Sequence, residues 1–331
     1  MLTCASFFAG VGGNDIGFER AGFKTIYANE FDDYAADTFE KNFSVKVDRR
    51  DINIVPANEI PDFDILLAGF PCQAFSIAGY RQGFNDEKGR GNLFFELIRI
   101  MKEKRPRVAF FENVKNLVSH DGGNTFRVIC QELDKLGYTY AYQVMNASEY
   151  GNTPQNRERI YIVAFRDKMD YANFKLPLPI KLTKTIRDVI DFDKEVDGRY
   201  YYTYEHCCFY DKLVDNIKNP GTVYQWRRVY VRENKSNVVP TLTANMGTGG
   251  HNVPIILTDD GRIRKLTPME CFRVQGFDES FKLPRQADGR LYKQAGNSVA
   301  VRVIERIAKQ IEYALRENYS SASLMSAYAS A

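Results

Sequence analysis

Cys72, Glu112, Arg157 and Arg159 are the residues of this chain whose types and settings suit chemistry. Cys72 stands in Asp64-Ile65-Leu66-Leu67-Ala68-Gly69-Phe70-Pro71-Cys72-Gln73, an apolar run of strand length that stops at a glycine and delivers a proline-flanked thiol. The thiolate is the nucleophilic form of cysteine, and in an open α/β sheet ligands bind outside the carboxyl ends of the strands. Taken alone, the stretch suits a small buried apolar cysteine equally well. The balance moves with a second apolar run, Arg107 to Phe111, which ends in Glu112-Asn113-Val114. Two strands bringing a cysteine and a glutamate to one rim are the arrangement of a nucleophile with a general acid or base. Tyr150 to Arg159 then forms a polar turn into the strand Ile160 to Phe165. Arg157 and Arg159 alternate with Glu158, which places both on one face, where guanidinium groups can hold an anionic or carbonyl-bearing substrate.

Such residues need a mostly parallel sheet beneath them, and the first half of the chain reads as one. Thr3 to Phe8 is a short strand that runs into Phe8-Ala9-Gly10-Val11-Gly12-Gly13 and an amphipathic helix ending near Gly22. Glycines there let the backbone approach a cofactor closely, although such a loop alone is a weak signal. Thr25 to Ala28 is the second strand, with Glu30 at its end, near the ~20-residue spacing at which an acid grips a ribose diol. Glu30 serves equally as a cap for the helix beginning near Asp32 or Asp33. Asp51 can receive the amino group of an adenine while Ile52 packs on the ring; in isolation it reads as a turn residue. Gln73 to Asn92 holds four glycines with Arg81, Lys88 and Arg90, the composition of a lid over a polyanion. Leu93 to Lys104 and Asn124 to Leu136 read as helices and Tyr138 to Met145 as a strand.

Charge is nearly balanced, with 45 Lys+Arg against 42 Asp+Glu, so a nucleic-acid partner is neither demanded nor excluded. Six cysteines are scattered without zinc-like spacing, and the N-terminus has neither an apolar signal region nor a membrane span. That fits a soluble protein of a reducing cytoplasm with no metal site. Cys207 and Cys208 follow His206 but lack a second ligand pair, and read as packing residues. After about Lys184 the βα pattern fades. Tyr224-Gln225-Trp226-Arg227-Arg228-Val229-Tyr230-Val231-Arg232 interleaves aromatics with arginines on short strands, which suits nucleic acid; a small β-core with exposed charges is the alternative. Pro240 to Gly250 is a threonine- and glycine-rich loop able to press its backbone against a phosphate chain. Lys265 to Gln275 looks helical, Gln294-Ala295-Gly296-Asn297-Ser298-Val299 opens an amphipathic helix to about Glu317, and the small polar tail from Ser320 is expected to be disordered.

In this order the segments resemble the DNA cytosine-5 methyltransferase family, particularly the compact bacterial enzymes of restriction-modification systems. The resemblance spans almost the whole chain and rests on Phe8-Ala9-Gly10-Val11-Gly12-Gly13, Asn29-Glu30, Asp51-Ile52, Gly69-Phe70-Pro71-Cys72-Gln73, Phe111-Glu112-Asn113-Val114, Gln155-Asn156-Arg157-Glu158-Arg159, the loop from Pro240, and Gln294-Ala295-Gly296-Asn297-Ser298. It implies that Phe8, Gly10, Val11, Gly12, Glu30, Phe31, Asp51, Ile52, Pro71, Leu93, Asn297 and Val299 line an S-adenosyl-L-methionine pocket. Cys72, Glu112, Arg157 and Arg159 would handle the cytosine, and Ser76, Arg81, Arg90, Arg227, Arg228, Arg232, Asn245 and Thr248 would contact DNA. The implied architecture is α/β. Residues 1–184 and 290–318 would form a Rossmann-like catalytic domain with a mostly parallel sheet, 185–289 a smaller, irregular β-rich target-recognition domain and hinge, and 319–331 a disordered tail. The implied substrate is a short site of about four to six base pairs in double-stranded DNA, with the cytosine flipped out of the stack. The implied enzyme is a cytoplasmic bacterial monomer that needs no membrane and no obligatory protein partner.

Three other readings stay open at this stage. A tRNA-methylating branch of the same fold uses the same cysteine but carries a Cys-Phe-Thr signature, where this chain has Cys207-Cys208-Phe209-Tyr210. A zinc nucleobase deaminase would need a His-x-Glu that none of His120, His206 and His251 begins. A catalytically silent DNA-binding scaffold is disfavoured by the presence of the cysteine, the glutamate and both arginines together.

Overall fold

The computed structural model describes residues 1–71, 93–248 and 252–329, with side chains up to residue 316. Cys72, Ser76, Arg81 and Arg90 lie outside the described residues. Contacts divide the chain into two compact units, Met1–Met145 with Glu158–Leu178 and Val303–Ala331, and Asn146–Arg157 with Pro179–Arg302.

The first unit carries a seven-stranded sheet of β1 (Thr3–Phe7), β2 (Lys24–Asn29), β3 (Val47–Asp48), β4 (Ile65–Ala68), β5 (Val108–Val114), β6 (Thr139–Asn146) and β8 (Glu158–Phe165), in the order β3-β2-β1-β4-β5-β8-β6. From β3 to β5 the neighbours run parallel, and β8 lies antiparallel to β5. Ile65 to Ala68 and Val108 to Phe111 are buried throughout, as expected where a parallel sheet is covered on both faces and its strands read as unbroken apolar runs. The chain leaves β1 toward β2 on one side and toward β4 on the other, so a topological switch point lies between β1 and β4. In open α/β sheets the crevice at the carboxyl ends beside such a point takes the ligand.

The helix Gly13–Arg20 follows β1, and its Gly17 has no room for a side chain: a Cβ would come within 2.6 Å of Ile304. That glycine lets the helix Val301–Ala329 lie close, and Arg20 pairs with Glu305 at 3.6 Å. The last helix continues through the tail expected to be disordered. Extending a helix adds a hydrogen bond per residue without a new nucleation cost, so the backbone continues helically to Ala329.

In the second unit, β9 (Tyr224–Arg227), β10 (Tyr230–Glu233), β12 (Ile255–Leu257) and β13 (Ile263–Lys265) form an antiparallel sheet in the order β10-β9-β12-β13. Beneath it lies a core of Cys207, Leu213, Ile217, Tyr224, Ile255 and Ile263. A separate two-stranded ladder pairs β7 (Gln155–Asn156) with β11 (Val239–Pro240). Lys265, expected in a helix, ends β13; the helix is Pro268–Val274, started by a capping box of Thr267 and Glu270 with a proline at its head. Gln294 to Asn297 closes the helix Asp288–Asn297 rather than opening the next, which begins at Val301. Residues 146–157, 179–184 and 290–302, expected in the first domain, group with the second unit. The cause is local: the helix Asp288–Asn297 packs backbone to backbone on the turn Ala244–Gly247, and Arg157 bonds to carbonyls of the same unit.

Candidate active site

The carboxyl ends of β4 and β5 lie side by side, because Ala68 pairs with Phe111. Glu112 is the next residue of β5 and is 8 % exposed. Across the ladder Glu112 faces Tyr161 and Val114 faces Arg159, so Arg159 is the diagonal neighbour of Glu112 on the same face. Its Nε lies 3.2 Å from Glu112 Oε1, with both side chains largely withdrawn from solvent. Gly69 sits beside this pair: a Cβ there would be 3.6 Å from Glu112 Oε2.

Asn113 holds the backbone that leads to Cys72. Its Nδ2 donates to Phe70 O at 2.8 Å, and its own Oδ1 accepts from Val114 N at 2.8 Å. Phe70 is anchored from the other side by the rings of Phe94 and Phe111. Sequence reasoning quoted Asn113 within a motif and gave it no task. Its position right after an acid at a strand end was the available signal. Pro71 is exposed and is the last described residue before Cys72.

Around the switch point, Phe8, Gly10 and Gly12 take φ of 53°, 56° and 85°, so the chain turns sharply after β1. Phe8 does so without being glycine, a costly conformation that clusters at functional sites. At Gly12 both backbone and space demand glycine, since a Cβ would lie 2.2 Å from the Phe43 ring. Glu30 Oε2 accepts from Gly10 N and Oε1 from Asp32 N, each at 2.8 Å. Glu30 therefore ties the glycine loop to the end of β2, while the cap of the helix Asp33–Asn42 is Asp32. Phe31 beside Glu30 is 71 % exposed. Asp51 caps the turn Ile52–Ile54, its Oδ1 accepting from Asn53 N at 2.9 Å. Val11 and Ile52 are buried and Leu93 is half-buried, the latter two against one apolar core. The loop thus offers acceptors, close backbone and an exposed aromatic ring, the donor and acceptor set that an adenosyl group requires.

Arg157 departs from the expectation. Alternation along one strand would put it on the face of Arg159, but the strand is interrupted: Gln155–Asn156 ladder with β11, and β8 starts at Glu158. Arg157 is 2 % exposed, and its guanidinium donates to Leu242 O at 2.8 Å, Gly296 O at 3.3 Å and Ser298 O. Asn297, between two of those carbonyls, is exposed, and Val299 is buried.

On β9 and β10 the period of two sorts the aromatic and basic run. Trp226 turns inward and stacks on Phe209 at 4.1 Å and 6°, so its ring is used in packing. Arg227 and Arg232 point the other way, opposite Tyr230 and Gln225. Arg228 occupies the two-residue turn with φ of 61° and is exposed, as are Asn245 and Thr248.

Comparison with known proteins agrees with this geometry. The family profile described as C-5 cytosine-specific DNA methylase matches residues 2–313. The Type II methyltransferase M.Bsp6I of Bacillus sp. (strain RFL6) is 58 % identical over 94 % of this chain and 98 % of its own length. M.HhaI of Haemophilus parahaemolyticus is 40 % identical, with 94 % of each chain covered. Among solved structures, a Spodoptera frugiperda DNMT2 variant superposes with a TM-score of 0.73 at 18 % identity, covering 94 % of this chain and 99 % of that one. At that identity the likeness shows the Rossmann-like fold alone. The chain belongs to the C-5 cytosine-specific DNA methylase family and is a DNA (cytosine-5-)-methyltransferase.

Proposed function

We propose that the rim formed by Gly69, Glu112 and Arg159 receives a flipped-out cytosine, with Cys72 as the nucleophile and S-adenosyl-L-methionine as the methyl donor. The observation that carries this is the Glu112–Arg159 pair at the carboxyl ends of β4 and β5. Carbon 5 of cytosine is too poor a nucleophile to take a methyl group unaided. Addition of the Cys72 thiolate at carbon 6 makes carbon 5 enamine-like. Glu112 hydrogen-bonds N3 and the exocyclic amine, stabilising the charge that addition creates. Arg159 orients Glu112 and meets the O2 side of the ring. Loss of the carbon-5 proton after transfer expels Cys72 and restores aromaticity.

When bound, the cofactor supplies an electrophilic sulfonium methyl group. The family resemblance assigns Phe8, Gly10, Val11, Gly12, Glu30, Phe31, Asp51, Ile52, Pro71, Leu93, Asn297 and Val299 to hold it. Glu30 would take the ribose hydroxyls, and Phe31 would offer its ring to the adenine. The first unit is the catalytic one; the second reads the target, through the outward Arg227, Arg228 and Arg232 and the Asn245 and Thr248 loop. Ser76, Arg81 and Arg90 are assigned to the same duplex. The protein acts as a monomer in a bacterial cytoplasm, and it protects host DNA within a restriction-modification system, a role that the Type II names of its relatives support. Among the described residues no helix is long and apolar enough to cross a membrane.

Base-resolution sequencing of 5-methylcytosine in plasmid DNA, after incubation with protein and S-adenosyl-L-methionine, tests the reading. Methylation confined to one short sequence and lost in Cys72→Ala supports it. Methylation retained in Cys72→Ala removes Cys72 from the mechanism.

A further inference from the structure

Arg157 is a buried cation whose guanidinium donates to three backbone carbonyls from two different segments. Gly296 O belongs to the last turn of the helix Asp288–Asn297, where carbonyls lack intrahelical partners and the helix dipole favours positive charge. Ser298 O follows it, so the exposed Asn297 is flanked by two clamped carbonyls. The third, Leu242 O, leads directly into Thr243-Ala244-Asn245. The two segments also touch without side chains between them. A Cβ on Gly296 would lie 2.2 Å from Thr243 O, and one on Gly247 would lie 2.0 Å from Gly289 O. Gln275 completes the fixture, donating from Nε2 to Ala295 O and accepting Val301 N at its own carbonyl, each at 2.9 Å.

We propose that Arg157 is a positioning residue whose guanidinium holds Asn297 and the Asn245–Thr248 loop as one body, so that cofactor and DNA groups of the second unit are presented together. The planar fork suits this task and a lysine does not, because an ammonium cannot span three carbonyls with fixed geometry. The inference rests on the assignment of Asn297 to the cofactor and of Asn245 and Thr248 to DNA.

Steady-state kinetics of Arg157→Lys with both substrates varied is the test. The expected result is a parallel rise of about tenfold in KM for S-adenosyl-L-methionine and for DNA, with kcat per active site within about threefold of wild type. A fall in kcat with both KM values unchanged, as a partly unfolded enzyme or a lost contact to the reacting base would give, overturns it. So does a rise in one KM alone. Asn297→Ala and Asn245→Ala separate the layers: the first is expected to raise only the cofactor KM and the second only the DNA KM. If these controls behave and Arg157→Lys moves one KM, the linkage falls and the site assignment stands. If neither control moves its own KM, the assignment itself fails and takes the linkage with it. Hydrogen exchange on the wild-type protein covers the case of an Arg157 variant that does not fold. S-adenosylhomocysteine alone should slow exchange of the amides of Met246 and Thr248 as well as those of residues 296–301. Protection that stops at 296–301 overturns the linkage.

Discussion

Arg159 Nε stands 3.2 Å from Glu112 Oε1 on the shared face of β5 and β8, fixed there by a ladder that runs without a break from Val108–Phe165 to Val114–Arg159. A carboxyl whose position is set by sheet register needs no reorganisation when charge develops on a bound ring. Arg159→Ala should therefore lower the single-turnover rate by about a hundredfold or more while cofactor affinity stays near wild type. Glu112→Gln, which keeps the shape and loses the carboxyl's acid–base capacity, should lower it by a factor on the order of 10² to 10⁴. Rapid-quench methylation and cofactor titration read the two quantities separately. A normal rate in either variant would remove that residue from the chemistry.

The bond from Asn113 Nδ2 to Phe70 O makes a second prediction. Phe70 is buried two residues before Cys72, and its carbonyl accepts this amide. Asn113→Asp keeps the shape but faces the carbonyl with an acceptor. It should destabilise the fold by about 1–3 kcal/mol and slow methyl transfer about tenfold or more through displacement of the segment ahead of the nucleophile. Urea denaturation and single-turnover rates check the two effects. Unchanged turnover with lowered stability would confine Asn113 to packing.

Much of this site is legible in the sequence because strand ends are marked by composition. Ile65 to Ala68 and Val108 to Phe111 are apolar without interruption, and Cys72 and Glu112, the residues proposed for the chemistry, follow them in sequence. The helix Leu93–Lys104 ends where its apolar period does. Arg157 shows where such reading stops. Its spacing from Arg159 fits a single strand, and only pairing across the chain, Gln155 with Val239 against Arg159 with Val114, reveals two sheets. Trp226 is similar: an aromatic between arginines suits stacking on bases until Phe209, distant in sequence, occupies its face. The tail after Ser320 shows the converse, since a segment too polar to nucleate a helix can still extend one.

Asp15 predicts a pH dependence unrelated to the catalytic pair. It lies in the first turn of the helix after β1, fully buried, and accepts from Ser6 Oγ at 2.9 Å and Thr25 Oγ1 at 3.0 Å. Burial pushes its carboxyl up to about 7, against the smaller lowering effect of the two hydroxyls. A raised carboxyl means the folded state binds the proton more tightly than the unfolded one. Its contribution is complete below about 4, near the ordinary value of an aspartate, and is lost as pH rises to about 7, above which it is flat. Stability should thus fall with pH across that window, by on the order of a few kcal/mol, and Asp15→Asn should flatten this part of the profile. Chemical denaturation at intervals from pH 5 to 8 makes the comparison. Identical slopes in the two proteins would show that the carboxyl is ionised throughout.

Arg264 and Glu270 form a pair with 0 % and 1 % of their side chains exposed. Arg264 also donates to Lys265 O and to Asp191 O, while Glu270 accepts from Asp191 N and from Thr267 N, where it closes the capping box of the helix Pro268–Val274. Removing one partner leaves a buried charge without the counter-charge 2.7 Å away, so Arg264→Met or Glu270→Leu alone should destabilise the protein by about 3–5 kcal/mol. Replacing both with apolar residues removes the stranded charge but also unmakes the cap and two backbone acceptors. The double variant Arg264→Met with Glu270→Leu should therefore be less damaged than the sum of the single changes, yet remain below wild type by about 1–2 kcal/mol. Equilibrium unfolding of the four proteins closes the cycle. Strict additivity would mean that the two side chains act through their backbone bonds and not through each other.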